Sequence, residues 1–141
     1  MNAKAFLSEI KKIERLMENK KAEKAQWMDL ALNITGRYDG ERVKSTSDPH
    51  KLENAVIRSV DIEREIEECI VKLYRRKAEI IAVIEKLPVH EYDVLHKIYV
   101  QGFSLQEVAD MKGRTYSMIT TMHGMALKKV QKIIDAEEEK E

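Results

Sequence analysis

The stretch Phe103-Ser-Leu-Gln-Glu-Val-Ala-Asp-Met-Lys-Gly-Arg-Thr-Tyr-Ser-Met-Ile119 decides how the C-terminal half folds. Ser104-Leu-Gln-Glu107 has the spacing of a capping box, in which the Ser hydroxyl accepts the amide of Glu107 and the Glu carboxylate accepts that of Ser104. Phe103 and Val108 flank the box as a hydrophobic staple. Such a cap is worth about 1 kcal/mol, enough to fix where a two-turn helix begins. Gly113 suits the left-handed conformation that ends a helix. Thr115 can cap the next helix, which continues through Ile119, Met122, Ala126, Leu127 and Val130 at helical spacing. Ala109, Gly113 and Ile119 stand where a helix-turn-helix needs a small residue at the crossing, a turn and a buried anchor.

Upstream, Val94, Leu95, Ile98 and Tyr99 mark a helix that begins after Pro88 and stops at Gly102. Residues 87–134 therefore read as one three-helix unit. Before it, Asn2 is an N-cap for a helix with apolar residues at Phe6, Ile10, Ile13 and Met17, then Trp27, Ala31 and Ile34. Lys20 and Lys24 interrupt that seam, which argues for local packing over an uninterrupted coiled coil. The periodicity stops near Asn33, and Gly36, Asp39, Gly40, Ser45, Ser47 and Asp48 predict a loop over 33–48. Asp48-Pro49 then starts a second long helix, with Leu52, Val56, Ile62, Ile66, Ile70, Leu73, Ile80 and Ile84 along it up to Leu87. Residues 1–86 are thus expected to form two long helices, either an antiparallel hairpin or a module for homodimerisation. Residues 135–141, with five acids and one Lys, are expected to be a disordered, solubilising acidic tail.

Composition agrees with an all-α fold: charged residues make up 35% of the chain, aromatics 6%, and there are five Gly and two Pro in 141 residues. A single cysteine, Cys69, forms no internal disulfide and reads as a small core residue. With no disulfide to mark an oxidising compartment a cytoplasmic protein is expected, and with no apolar run long enough to span a bilayer a soluble one. The formal net charge is zero, yet residues 88–134 hold six Lys or Arg against four acids, a weakly basic segment followed by the acidic end.

Leu87-Pro88, Val94-Leu95, Tyr99, Ser104-Leu-Gln-Glu-Val-Ala109, Gly113 and Ala126-Leu-Lys-Lys-Val130 resemble the fourth conserved region of bacterial sigma factors. With Met122-His-Gly-Met-Ala-Leu127 and the long-helical N-terminal half, the chain looks like the small sigma-like regulators of bacteriophages and prophages of Gram-positive bacteria. The resemblance implies a transcription regulator acting on double-stranded DNA in a bacterial host cell, with RNA polymerase as a further partner. Two departures stand out. Lys112 and Arg114 flank Gly113 where the pattern has apolar residues, and Tyr116, Ser117, Thr120 and Thr121 replace the Arg, Glu and Gln of sigma factors. No counterpart of the promoter-melting sigma regions can be placed in the N-terminal half, so the resemblance implies a regulator and not a free-standing sigma factor.

The expected DNA-contacting residues are Arg114, Thr115, Tyr116, Ser117, Thr120, Thr121, His123, Lys128 and Lys129, with Ser104, Glu107, Ala109, Gly113 and Ile119 forming the cap, crossing and turn; for His123 a packed or partly exposed structural role is the stronger expectation. Hydroxyls can read bases or phosphates, and Arg114 alone offers a bidentate guanine contact. Two other functions stay open: a module that binds polymerase without reading DNA, and a DNA-packaging adaptor. No cofactor or metal site is expected, because His90 and His96 are six residues apart and point to different sides of a helix. Nucleophile elbows, phosphate-binding Gly loops and paired catalytic carboxylates are missing, which argues against an enzyme. Gly124 is expected to allow close helix approach, and the Met residues at 17, 28, 111, 118, 122 and 125 to pack largely in the core, with exposure the alternative for Met118 near the helix start.

Overall fold

The computed structural model describes residues 1–40 and 49–141, with side chains up to residue 33 and from residue 50 onward. Every regular element among these residues is helical: α1 (Ala3–Leu7), α2 (Glu9–Gly40), α3 (Pro49–Ile84), α4 (Val89–Leu95) leading into a π-helical turn (His96–Val100), α5 (Leu105–Lys112) and α6 (Tyr116–Glu139). The chain is all-α. It divides into two compact units, Met1–Ile13 with Leu73–Glu141, and Glu14–Lys72.

In the first unit, Asn2 caps α1 by accepting the amides of Lys4 and Ala5 at 2.8 and 3.3 Å. The expected single helix from Asn2 is broken once, at Ser8, which separates α1 from α2. Phe6, Leu7 and Ile10 then join Ile80, Ile84, Leu95, Tyr99, Ala126, Val130 and Ile134 in one core. Division of the chain at residues 86 and 87 would cut through this core. α6 continues to Glu139, so the acidic end is helical where a disordered tail was expected, and Lys86 pairs with Glu137 at 3.3 Å.

A smaller cluster of Val94, Val108, Ala109 and Ile119 holds α4, α5 and α6 together, with Phe103 packed against it beside Val108. Ser104 and Glu107 make both bonds of the capping box, 3.1 Å from the Glu107 amide to the Ser104 hydroxyl and 3.3 Å back. Gly113 closes α5 at φ 64°, a left-handed conformation that carries a steric penalty for a residue with a Cβ. Gly102 ends the π-helical turn at φ 85°. The wider turn belongs to the same segment as Ile98, which packs against both clusters. Ser104→Ala is expected to lower stability by about 1 kcal/mol in urea unfolding, with the unfolding slope unchanged.

In the second unit, α2 and α3 lie antiparallel, as the ion pairs show: Lys20 meets Glu65 at 2.9 Å and Lys24, further along α2, meets Glu63 at 3.5 Å. The two lysines that interrupt the apolar seam thus reach carboxylates across the pair within one chain. Arg58 adds contacts to Glu23 at 3.1 Å and Glu65 at 3.8 Å. The buried residues of α3 here are Ala55, Ile62, Ile66 and Cys69. Val56 and Ile70, expected on the packed stripe, are exposed because the seam runs one residue to the side of each. α2 extends through residues 34–40 of the expected loop, and residues 41–48 of that loop, with the Asp48 cap, lie outside the described residues.

Candidate nucleic-acid interface

α5, the turn at Gly113 and α6 are positioned by local chemistry that the surrounding sequence encodes. The amide of Arg114 donates to the carbonyl of Ala109 at 3.0 Å, and Thr115 then caps α6 by accepting the amide of Met118 at 3.2 Å. Ala109 and Ile119 are buried between the two helices. The first turn of α6 is held by its inner face and left open on its outer one.

On that outer face Arg114, Thr115, Tyr116, Ser117, Thr120, Thr121 and Lys128 are all exposed. At 100° per residue, Ser117, Thr121, Met125, Lys128 and Lys132 follow one stripe of α6, about 22 Å long at 1.5 Å per residue. Thr120 and Thr121 donate their hydroxyl protons to the carbonyls of Tyr116 and Ser117, at 2.8 and 3.0 Å. They can offer a ligand only an acceptor oxygen and a methyl group. The hydroxyls of Tyr116 and Ser117 make no hydrogen bond among the described residues and keep their protons available.

The six cations of residues 88–134 separate into two groups. Lys97 and Lys112 both bind Asp93, the first at 2.7 Å, and Lys112 foremost holds the Asp93 carboxyl below the usual carboxylate range. Lys129 turns inward to Glu91 at 2.9 Å. Arg114, Lys128 and Lys132 make no ion pair among the described residues, and they are the cations with charge to offer a phosphate. Lys129, expected on DNA, is instead committed to a buried carboxylate.

His123 is likewise turned inward. Its Nε2 lies 2.8 Å from the Tyr99 hydroxyl, and the two rings stack at 5.7 Å between centroids. Burial, aided by the charge of Lys4, holds His123 below its ordinary pKa, and burial pushes the Tyr99 hydroxyl up. A neutral, stacked imidazole adds nothing to phosphate attraction. The other His of interest, His96, is bonded through Nδ1 to Gln101 at 2.8 Å.

Two residues of this face, Lys132 and Met125, were missed by sequence reasoning. Lys132 stands one helical turn beyond Lys128, a signal present in the spacing. Met118 and Met125 are 46% and 51% exposed and put apolar surface among the hydroxyls, and Met28 and Met111 are exposed as well. Gly124 allows no close approach: a Cβ there would meet nothing within 4 Å.

Among proteins of known role, the chain is similar to the RNA polymerase sigma factor SigO of Bacillus subtilis (strain 168), with 26% identity over 102 residues. The match covers 72% of this chain and 53% of that protein, so the chain spans about half the length of this relative. No family model matches the chain. No solved structure matches it. Among the described residues, no helix is long and apolar enough to cross a membrane.

Proposed function

We propose that this chain is a phage-type DNA-binding transcription regulator, working in the cytoplasm of a bacterial host, that places the start of α6 in the major groove of a promoter or operator. The observation that carries the reading is the exposed outer face of α6 with its unpaired cations. Tyr116, Ser117, Thr120 and Thr121 stand at the base-reading end, with Arg114 before them and Lys128 and Lys132 set for phosphates. The similarity to a sigma factor supports a transcription-related, sigma-like role, with RNA polymerase as a second partner. The long helices α2 and α3 serve as the dimerisation module. The chain acts by binding and not by catalysis.

The decisive test is selection of bound fragments from phage and host genomic DNA at several salt concentrations. The comparison protein carries Arg114→Ala, Lys128→Glu and Lys132→Glu and keeps Lys129, whose loss would unbalance Glu91. Wild type should enrich one defined site. The variant should bind it at least about tenfold more weakly, with a salt dependence shallower by about three units of slope, roughly one per lost phosphate contact. No enrichment by folded wild type, or equal binding by the variant, defeats the reading.

Three of six cations committed to internal carboxylates is the observation that favours a second reading, a sigma-like module binding polymerase without reading DNA. A polymerase pull-down that survives nuclease, without DNA enrichment, would establish it. A ring-sized assembly in solution would point instead to a packaging adaptor.

A further inference from the structure

α3 carries a second stripe on the side opposite its packed seam. Ile57, Val60, Arg64, Glu67 and Val71 recur at steps of three, four, three and four, the repeat that keeps one face of a helix toward a neighbouring helix. Relative to the buried Ala55, Ile62, Ile66 and Cys69, these positions fall on the far side of the helix. Ile57, Val60 and Val71 are 50%, 52% and 58% exposed, although each is large and apolar. Arg64 and Glu67 are also exposed and make no ion pair among the described residues. Arg58, Glu63 and Glu65 of α3 reach charges on α2, whereas Arg64 and Glu67 lie on the opposite side, at the centre of the apolar stripe.

The order of residue types accounts for that placement. From Val60 to Val71 the stripe reads apolar, base, acid, apolar. Turned end for end and laid against itself, it sets Val60 on Val71 and Arg64 on Glu67, each contact occurring twice about a two-fold axis. A parallel pairing would set Arg64 on Arg64 and Glu67 on Glu67. An antiparallel pairing slipped by three residues would again bring Arg64 against itself. One register satisfies both the apolar ends and the charges, and its self-complementarity selects a second copy of this chain over an unrelated partner.

We propose that the back face of α3, from Val60 to Val71, is the two-fold interface of an antiparallel homodimer, with Arg64 paired to Glu67 of the partner subunit. This deepens the reading of α2 and α3 as a dimerisation module by naming the face and its register. A single helix-to-helix contact is smaller than the about 800 Å² per partner of a standard interface, so the dimer forms and dissociates with concentration.

The test is sedimentation equilibrium of the full chain from about 1 to about 200 μM, in low and high salt, a range that brackets micromolar association. Four proteins are compared: wild type, Arg64→Glu, Glu67→Arg, and the double charge swap Arg64→Glu with Glu67→Arg. Circular dichroism checks that each is folded, and neither side chain makes an ion pair or hydrogen bond among the described residues. Each single variant sets like charges against one another and is expected to weaken dimerisation about tenfold or more, less at high salt. The double swap restores opposite charges and is expected to return the association constant to within about threefold of wild type. A wild type that stays monomeric overturns both this interface and the dimeric reading of the helices. A dimer that ignores the single reversals, or is not rescued by the swap, overturns this face alone and places dimerisation elsewhere.

Discussion

Lys129→Met is expected to lower the unfolding free energy by roughly 3 kcal/mol. Glu91 is 9% exposed, and its Oε1 accepts from Lys129 at 2.9 Å. Its Oε2 is buried without a hydrogen-bond partner among the described residues. The Lys129 ammonium therefore compensates a carboxylate that is already incompletely satisfied, and removing it leaves a charge in a site that solvates it poorly. Urea unfolding measures the loss. Joining Glu91→Leu to Lys129→Met removes both charges and should recover most of it, since an apolar pair of similar volume is often no worse than a buried ion pair. A single variant within about 0.5 kcal/mol of wild type, the range of an ordinary surface change, would show that Glu91 is solvated in solution. The same pair bears on the design of variants: charge reversal at Lys129 sets two carboxylates together and destabilises the unit, so a loss of function in such a variant does not place Lys129 on a ligand.

Leu7→Ala combined with Ile10→Ala is expected to cost about 5 kcal/mol or more, at 2–5 kcal/mol for each truncated core side chain. That is comparable to the whole stability of a small domain. Leu7 and Ile10 are 0% and 1% exposed and pack in the core formed by α3, α4 and α6. The N-terminal end is fastened further by the Ala3 amide, which donates to Gln131 at 2.7 Å, and by Arg76, which bonds Glu9 and lies 5.7 Å over the Phe6 ring. An isolated fragment of residues 87–141 should accordingly lack cooperative unfolding and a resolved amide spectrum. Thermal unfolding of the double variant and NMR of the fragment check the two halves of this expectation. A fragment that folds alone, or a double variant destabilised by less than about 1 kcal/mol, would mean that α1 and the start of α2 are accessories to the core.

Such contrasts mark how far the residues could be read in order. The capping box at Ser104 and Glu107, the left-handed Gly113 and the Thr115 cap were all legible, because each bond joins groups within a few residues and its strength hardly depends on the remainder of the chain. The exposed start of α6 at Tyr116, Ser117, Thr120 and Thr121 was legible from helical periodicity, which sorts an inner face from an outer one, although Met125 and Lys132 further along the same face were not picked out. Lys129 was expected on phosphates, and His123 was named for DNA beside a packed role that the structure now gives it. Their partners, Glu91 and Tyr99, are 38 and 24 residues away, and only the packing of α4 and the following turn against α6 turns the two side chains inward.

The sequence by itself determined an all-helical chain, the start and end of α5, the start of α6 and the interrupted seam of α2. These follow from short-range hydrogen bonding and from a period that reports whether a face is covered. Tertiary structure alone decided what covers each face. It set α1 in the core with α6, made the acidic end part of a helix, and left Arg114, Lys128 and Lys132 without an ion pair among the described residues. The physical reason is one of range: a cap or a turn is complete within four residues, whereas an apolar stripe or a lysine is satisfied equally well by many partners. The choice among them is made by which distant segments can pack together without leaving a buried charge or a void.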